Sequence, residues 1–145
     1  MSELLKCNIV AIKSTSKSAL QKVHLHRKSK RLELVVDNIN YQLSAEYLRV
    51  HSPSAEVRGH GQGQGKLPSG KVHVGINHLK AAGNYGLQIE FDDGHNSGIY
   101  TWSYLTNLCL NRDKNWQRYL IKLRNEGKHR DPNTSVVQFS PPNRD

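Results

Sequence analysis

The stretch Arg31-Leu32-Glu33-Leu34-Val35-Val36-Asp37-Asn38-Ile39-Asn40-Tyr41-Gln42-Leu43-Ser44-Ala45-Glu46-Tyr47-Leu48-Arg49 holds the plan of the molecule. Leu32, Leu34 and Val36 fall on every second position, the period of a strand with one buried face. Asp37-Asn38 turns the chain toward Tyr41 and Leu43, and Ser44 stands where its hydroxyl can cap a short helix carrying Tyr47 and Leu48. Upstream, Val23 and Leu25 alternate with Lys22, His24 and His26, and the basic turn Arg27-Lys28-Ser29-Lys30 makes a hairpin with the alternating run that begins at Leu32. Downstream the arrangement returns. Leu87, Ile89 and Phe91 alternate, Asp92-Asp93-Gly94 turns, Ile99 and Tyr100 resume an extended run, and Thr101 is the cap before Trp102, Tyr104 and Leu105. The strand residues match at an offset of 55 (Leu32 with Leu87) and the helix residues at 57 (Ser44 with Thr101, Tyr47 with Tyr104).

Two strand-turn-strand-helix units predict an α+β fold, an antiparallel sheet with helices packed on one face. A C-terminal helix over 111–127 follows, with Asn111 as cap, Trp116, Tyr119, Leu120 and Leu123 at helical spacing, and Gly127 as stop. Trp116 belongs to that packing stripe. The domain is expected over residues 19–110, between a flexible extension, 1–18, and a polar, Pro-bearing disordered tail, 128–145.

The 145 residues carry 21 Lys and Arg against 12 Asp and Glu, a net charge of +9. Basic and acidic residues number 9 and 4 over residues 1–50, 4 and 4 over 51–110, and 8 and 4 over 111–145. The charge therefore belongs to the flanks. Nucleic-acid binding rests on that charge alone and ranks third among the candidate functions. Two cysteines, Cys7 and Cys109, are too few for a disulfide scaffold or a multi-thiolate metal site and point to a cytoplasmic chain. No stretch has the roughly 18 apolar residues of a membrane span.

Residues 51–73 form a long connection containing Gly59, Gly61, Gly63 and Gly65. A connection of that length usually has a function, so the search for a site starts there. The glycines match neither phosphate-binding signature, because Gly65 is followed by Lys66 and Leu67 and Gly63 by no glycine three residues on. His129-Arg130-Asp131 has the form of part of a non-haem iron site but lacks a later His. Cys109, between Leu108 and Leu110, reads as a small buried hydrophobe, and nothing in the chain demands catalysis. His51 and His60 flank the glycines and His95 lies in the second turn, so three imidazoles could converge on zinc or iron.

The blocks Leu43-Ser44-Ala45-Glu46-Tyr47-Leu48-Arg49, Ser52-Pro53-Ser54-Ala55-Glu56-Val57-Arg58-Gly59-His60-Gly61, Val74-Gly75-Ile76, Gly83-Asn84-Tyr85, Phe91-Asp92-Asp93-Gly94-His95 and Gly98-Ile99-Tyr100-Thr101-Trp102 give the chain its likeness. It resembles the gamma-butyrobetaine hydroxylase-like N-terminal domain family, in its stand-alone form. The resemblance implies no hydroxylase activity, since the oxygenase domain is absent. It implies a zinc position whose three thiolate ligands fall on Ser52, Ser54 and Val57 and whose histidine falls on His95, so that His95 alone is kept. It also implies a protein partner, an iron–sulfur cluster carrier ATPase, because such carriers bear the same domain. The expected docking residues are Arg49, Arg58, His60, Asp93, Tyr100 and Trp102. The first reading is thus a non-catalytic adaptor in iron–sulfur or metal metabolism; the second is a metal-binding protein using His51, His60 and His95.

Overall fold

Two β-β-β-α units follow one another along the chain, and a last helix packs against the first of them. The computed structural model describes residues 20–53 and 67–132. Strands β1 (Leu20–His26), β2 (Arg31–Val36) and β3 (Ile39–Ser44) form one antiparallel sheet in that order and lead into helix α1 (Ala45–Val50). Strands β4 (Ile76–Ala82), β5 (Gly86–Phe91) and β6 (Ile99–Thr101) form a second, followed by α2 (Trp102–Leu110) and α3 (Arg112–Asn125). The strands thus divide into two three-stranded sheets, one per unit. Residues 1–19, with the expected extension, and 54–66, with most of the Gly-rich loop, lie outside the described residues.

Each unit opens with a strand beyond the strand-turn-strand-helix pattern: β1, whose alternation the sequence announces, and β4, which it does not. β1 and β4 correspond, and each has an irregular register near its start, between Leu20 and Lys22 and between Ile76 and His78. The two-residue turn Asp37-Asn38 has positive φ at both positions, 52° and 67°, the backbone of a tight hairpin whose twist suits the flanking strands. Gln21 braces it from β1, accepting from the Asn38 amide at 2.6 Å and donating to the Asn38 side-chain oxygen at 3.1 Å. At the matching place in the second unit, seven residues separate β5 from β6. Gly86 is required where those strands meet, because a Cβ there would stand 2.5 Å from the Tyr100 carbonyl oxygen.

The caps read from the sequence hold for α1 and α2: Ser44 Oγ accepts from the Tyr47 amide at 3.1 Å, and Thr101 Oγ1 from the Tyr104 amide at 3.2 Å. Asn111 differs from expectation. Its side chain donates back to the Asn107 carbonyl at 3.2 Å, so α3 begins with no side-chain cap. Helix α3 stops as expected at Gly127, whose φ is 65°, with Lys128 N–H on the Leu123 carbonyl and Gly127 N–H on that of Arg124. The polar tail is tied down over its first residues. The amides of Gly70 and Val72 donate to the carbonyls of His129 and Arg130, at 2.8 and 3.1 Å.

One core serves both units. Val23, Leu25, Leu32, Leu34, Leu43 and Leu48 of the first are buried in the same cluster as Leu87, Ile89, Phe91, Leu105 and Leu108 of the second. Across it two tyrosines exchange hydrogen bonds. Tyr47 Oη donates to the Leu108 carbonyl at 2.7 Å, and Tyr104 Oη to the His51 carbonyl at 2.6 Å. Trp116 leans on this core, and Tyr119 and Leu123 close a second, smaller cluster with Val50. Among the described residues no helix is long and apolar enough to cross a membrane.

Candidate functional site

The turn 92–95, the C-terminal end of α1 and the end of the connection meet at Asp93. Its carboxylate accepts from Lys71 Nζ at 2.6 Å, from Arg49 Nε at 2.9 Å and from the His95 amide at 3.1 Å. Burial would raise the pKa of this carboxyl, but the lysine, the amide and the arginine outweigh it and hold it at about 2. Two expected docking residues, Arg49 and Asp93, are therefore spent on each other.

Beside them His95 Nε2 lies 2.8 Å from Ser52 Oγ, and both residues are buried. The contact has the form of a nucleophile beside its base, yet Ser52 is only 1% exposed and offers no approach to a substrate. Tyr100 is fully buried, its hydroxyl donating to the Leu48 carbonyl at 2.6 Å, so it braces the core and presents no surface to a partner. Trp102 is half-buried, with its indole N–H on the Asn84 carbonyl at 2.8 Å. His51 turns elsewhere. Its Nδ1 lies 2.9 Å from the Tyr47 carbonyl and its ring packs 4.6 Å from that of Tyr47. Burial lowers its pKa more than the Tyr47 hydrogen bond raises it. His60, Arg58, Ser54 and Val57 lie outside the described residues.

The positions that the resemblance aligns with zinc ligands thus include one pair, Ser52 and His95, that does meet. What joins the pair is a hydrogen bond. A serine hydroxyl and a valine do not supply thiolates, so this donor set does not fit a structural zinc ion.

A second site has no counterpart in the sequence reading. A cleft of about 600 Å³ opens between β2, β3, α1 and α3. Its walls include Lys30, Arg31, Arg112 and Arg130, against the carboxylates Glu46 and Asp113. Glu46, 6% exposed at its side chain, is gripped by Arg130 through two bonds of 2.8 and 2.7 Å, and the guanidinium lies 5.2 Å above the Trp116 ring. Lys30 is steadied by the His73 carbonyl at 2.8 Å and Arg31 by the Gln42 side chain at 3.4 Å, while Arg112 donates to the Gln42 carbonyl at 3.2 Å and stands 3.6 Å from the exposed Asp113 carboxylate. These residues come from segments as far apart as 30 and 130, which hid the cleft from any local pattern. A third grouping, His24, His26 and Glu33, sits on the outer face of the first sheet and is the one group of three or more potential metal ligands among the described residues.

The gamma-butyrobetaine hydroxylase-like, N-terminal family model matches residues 23–106. The chain belongs to this family. A protein solved in solution by NMR is 46% identical, covering 86% of this chain and 98% of its own, with a TM-score of 0.74. A second NMR structure is 37% identical over 91% of this chain and 100% of its own, with a TM-score of 0.66. A crystal structure from Acidithiobacillus ferrooxidans, of a protein of unknown function in the DUF971 family, is 32% identical, covering 61% of this chain and 90% of its own, with a TM-score of 0.51. No curated protein matches the chain. The family match ends at residue 106, before α3 and Arg130, which wall one side of the cleft, while the two NMR structures match 86% and 91% of the chain and so extend past that point.

Proposed function

We propose that the chain is a non-catalytic binding module that receives an acidic segment of a protein partner in the cleft between β2, β3, α1 and α3. The observation that carries this reading is the cleft's charge. Four cationic side chains face two carboxylates; Glu46 is neutralised by Arg130, Asp113 lies 3.6 Å from Arg112 at an exposed pair, and a surplus of two positive charges is left. Arginines held by fixed oxygens lose little freedom when a carboxylate arrives, and their forks suit it in two-point contacts. The polar groups near the sequence-derived site are engaged within the fold, and the Cys109 thiol is buried and pushed up to about 12, which supports binding over catalysis. The partner we favour is an iron–sulfur cluster carrier ATPase, which the family resemblance suggests.

The test is fluorescence anisotropy with a synthetic ten-residue peptide of Glu and Asp at about 50 mM salt, joined to affinity capture with the full chain. Binding that weakens with salt and is lost in the Arg31→Glu, Arg112→Glu variant supports the cleft, and recovery of a cluster carrier supports the partner. Peptide binding unaffected by the charge reversal rules the cleft out. Tighter binding to duplex DNA than to the peptide shifts the reading to nucleic acid.

A further inference from the structure

His24 and His26 are two residues apart on β1 and so share its outer face, while Glu33 on β2 is the cross-strand partner of His24. The register brings three donors together. Glu33 Oε1 lies 2.7 Å from His26 Nε2 and 3.8 Å from His24 Nδ1, and the two rings are 4.4 Å apart, centre to centre. Two ligand atoms of a tetrahedral zinc ion, each about 2.0–2.1 Å from the metal, stand roughly 3.3 Å apart, which these separations bracket. Small rotations of the imidazoles would close the set. Two imidazoles and a carboxylate form a donor set for a borderline divalent ion, with at least one coordination position left open.

From this arrangement we infer that His24, His26 and Glu33 form a divalent transition-metal site, with zinc as its reference ion. Two further observations agree with it. The donors sit on paired strands, whose backbone does not have to be ordered for binding. The second carboxylate oxygen of Glu33 accepts a hydrogen bond from the Asn40 side chain on β3, so Glu33 keeps one oxygen for the metal and has its orientation set from outside the donor set. Lys22, on the same face of β1, works against a cation. The side chains are only 16–38% exposed, so the metal would seat in the sheet surface with its open position toward solvent or a donor atom of a partner.

The experiment uses the full chain without an affinity tag and titrates Zn²⁺ against a chromogenic chelator. In parallel, ¹⁵N NMR follows the imidazole and amide nitrogens of the wild-type protein. One equivalent of zinc is expected, with the ring nitrogens of His24 and His26 and the amides of β1 and β2 shifting while those of His51 and His95 stay in place. His24→Gln, His26→Gln and Glu33→Gln should each weaken binding more than roughly 100-fold, and Asn40→Ala, which removes only the orienting bond, about 10-fold. Lys22→Gln should tighten binding, a result that a merely structural histidine pair would not give, and His78→Gln should leave it unchanged. Zinc held no tighter than ~1 mM, wild-type shifts centred on His51, His60 or His95, or full binding by His24→Gln would each overturn the site.

Discussion

Acid should release the clamp on Asp93, and the effect can be sized. The carboxyl titrates at about 2 in the fold, against an ordinary 3.8. A group whose pKa is lowered by folding contributes stability that is complete above its unfolded value and is lost as pH falls through its folded value. The window here runs from above pH 3.8 down to about 2. That gap corresponds to about 2 kcal/mol at roughly 1.4 kcal/mol per unit. The side chain is 23% exposed and shares its contacts with water, which brings the expected contribution to about 1 kcal/mol. Urea unfolding, followed by the fluorescence of Trp102 and Trp116, is the assay, run on wild type and Asp93→Asn from pH 7 to pH 2. At pH 7 the variant should be less stable by about 1 kcal/mol, and the two curves should converge as the wild-type carboxyl takes up its proton. Glu33, whose pKa is also lowered, titrates in both proteins and drops out of the difference. A deficit that stays constant from pH 7 to pH 2, or no deficit at pH 7, would show that Arg49 and Lys71 do not hold the turn through charge.

Gly86→Ala places a methyl group 2.5 Å from the Tyr100 carbonyl oxygen and 3.0 Å from Thr101 Cα, both backbone atoms. The strands must separate at a cost of about 1–3 kcal/mol, read as a lower urea midpoint; an unchanged midpoint would mean that β5 and β6 yield freely. Cys109, 2% exposed, should resist Ellman's reagent at neutral pH in a Cys7→Ser background and react fully in urea. Prompt reaction of the folded protein would contradict its burial.

The repeated unit was legible because its signals are local. Alternating large apolar residues and a hydroxyl cap three residues before a tyrosine mark each copy, and Ser44, Thr101 and both helices stand where those signals put them. β4 was invisible for a physical reason. It is an edge strand with Ile76 as its one buried residue and Leu79 only partly buried against the core, so no alternation was written into it. Asn111 and Tyr100 misled because side-chain chemistry does not say which carbonyl a group will find. The histidines of β1 could have been recognised: a hairpin pairing His26 with Arg31 sets Glu33 opposite His24, and the turn length alone predicts that register. The cleft could not, since its walls meet only after both sheets, α3 and the tail have packed.

The exchanged tyrosine bonds have a further consequence. Tyr47 and Tyr104 are 57 positions apart, and so are the carbonyls they reach, those of His51 and Leu108. Swapping the two units therefore maps each bond onto the other, the relation that defines a self-complementary contact between identical subunits. The interior of this single chain is built like the interface of a homodimer. Helix α3 breaks that equivalence, for Asn115 donates to the Tyr47 hydroxyl at 3.1 Å and Trp116 packs edge-on to the Tyr47 ring. The cationic cleft lies on the side where the exchange fails: two near-equal halves supply the scaffold, and the helix that packs against only one of them supplies the asymmetry that shapes a site.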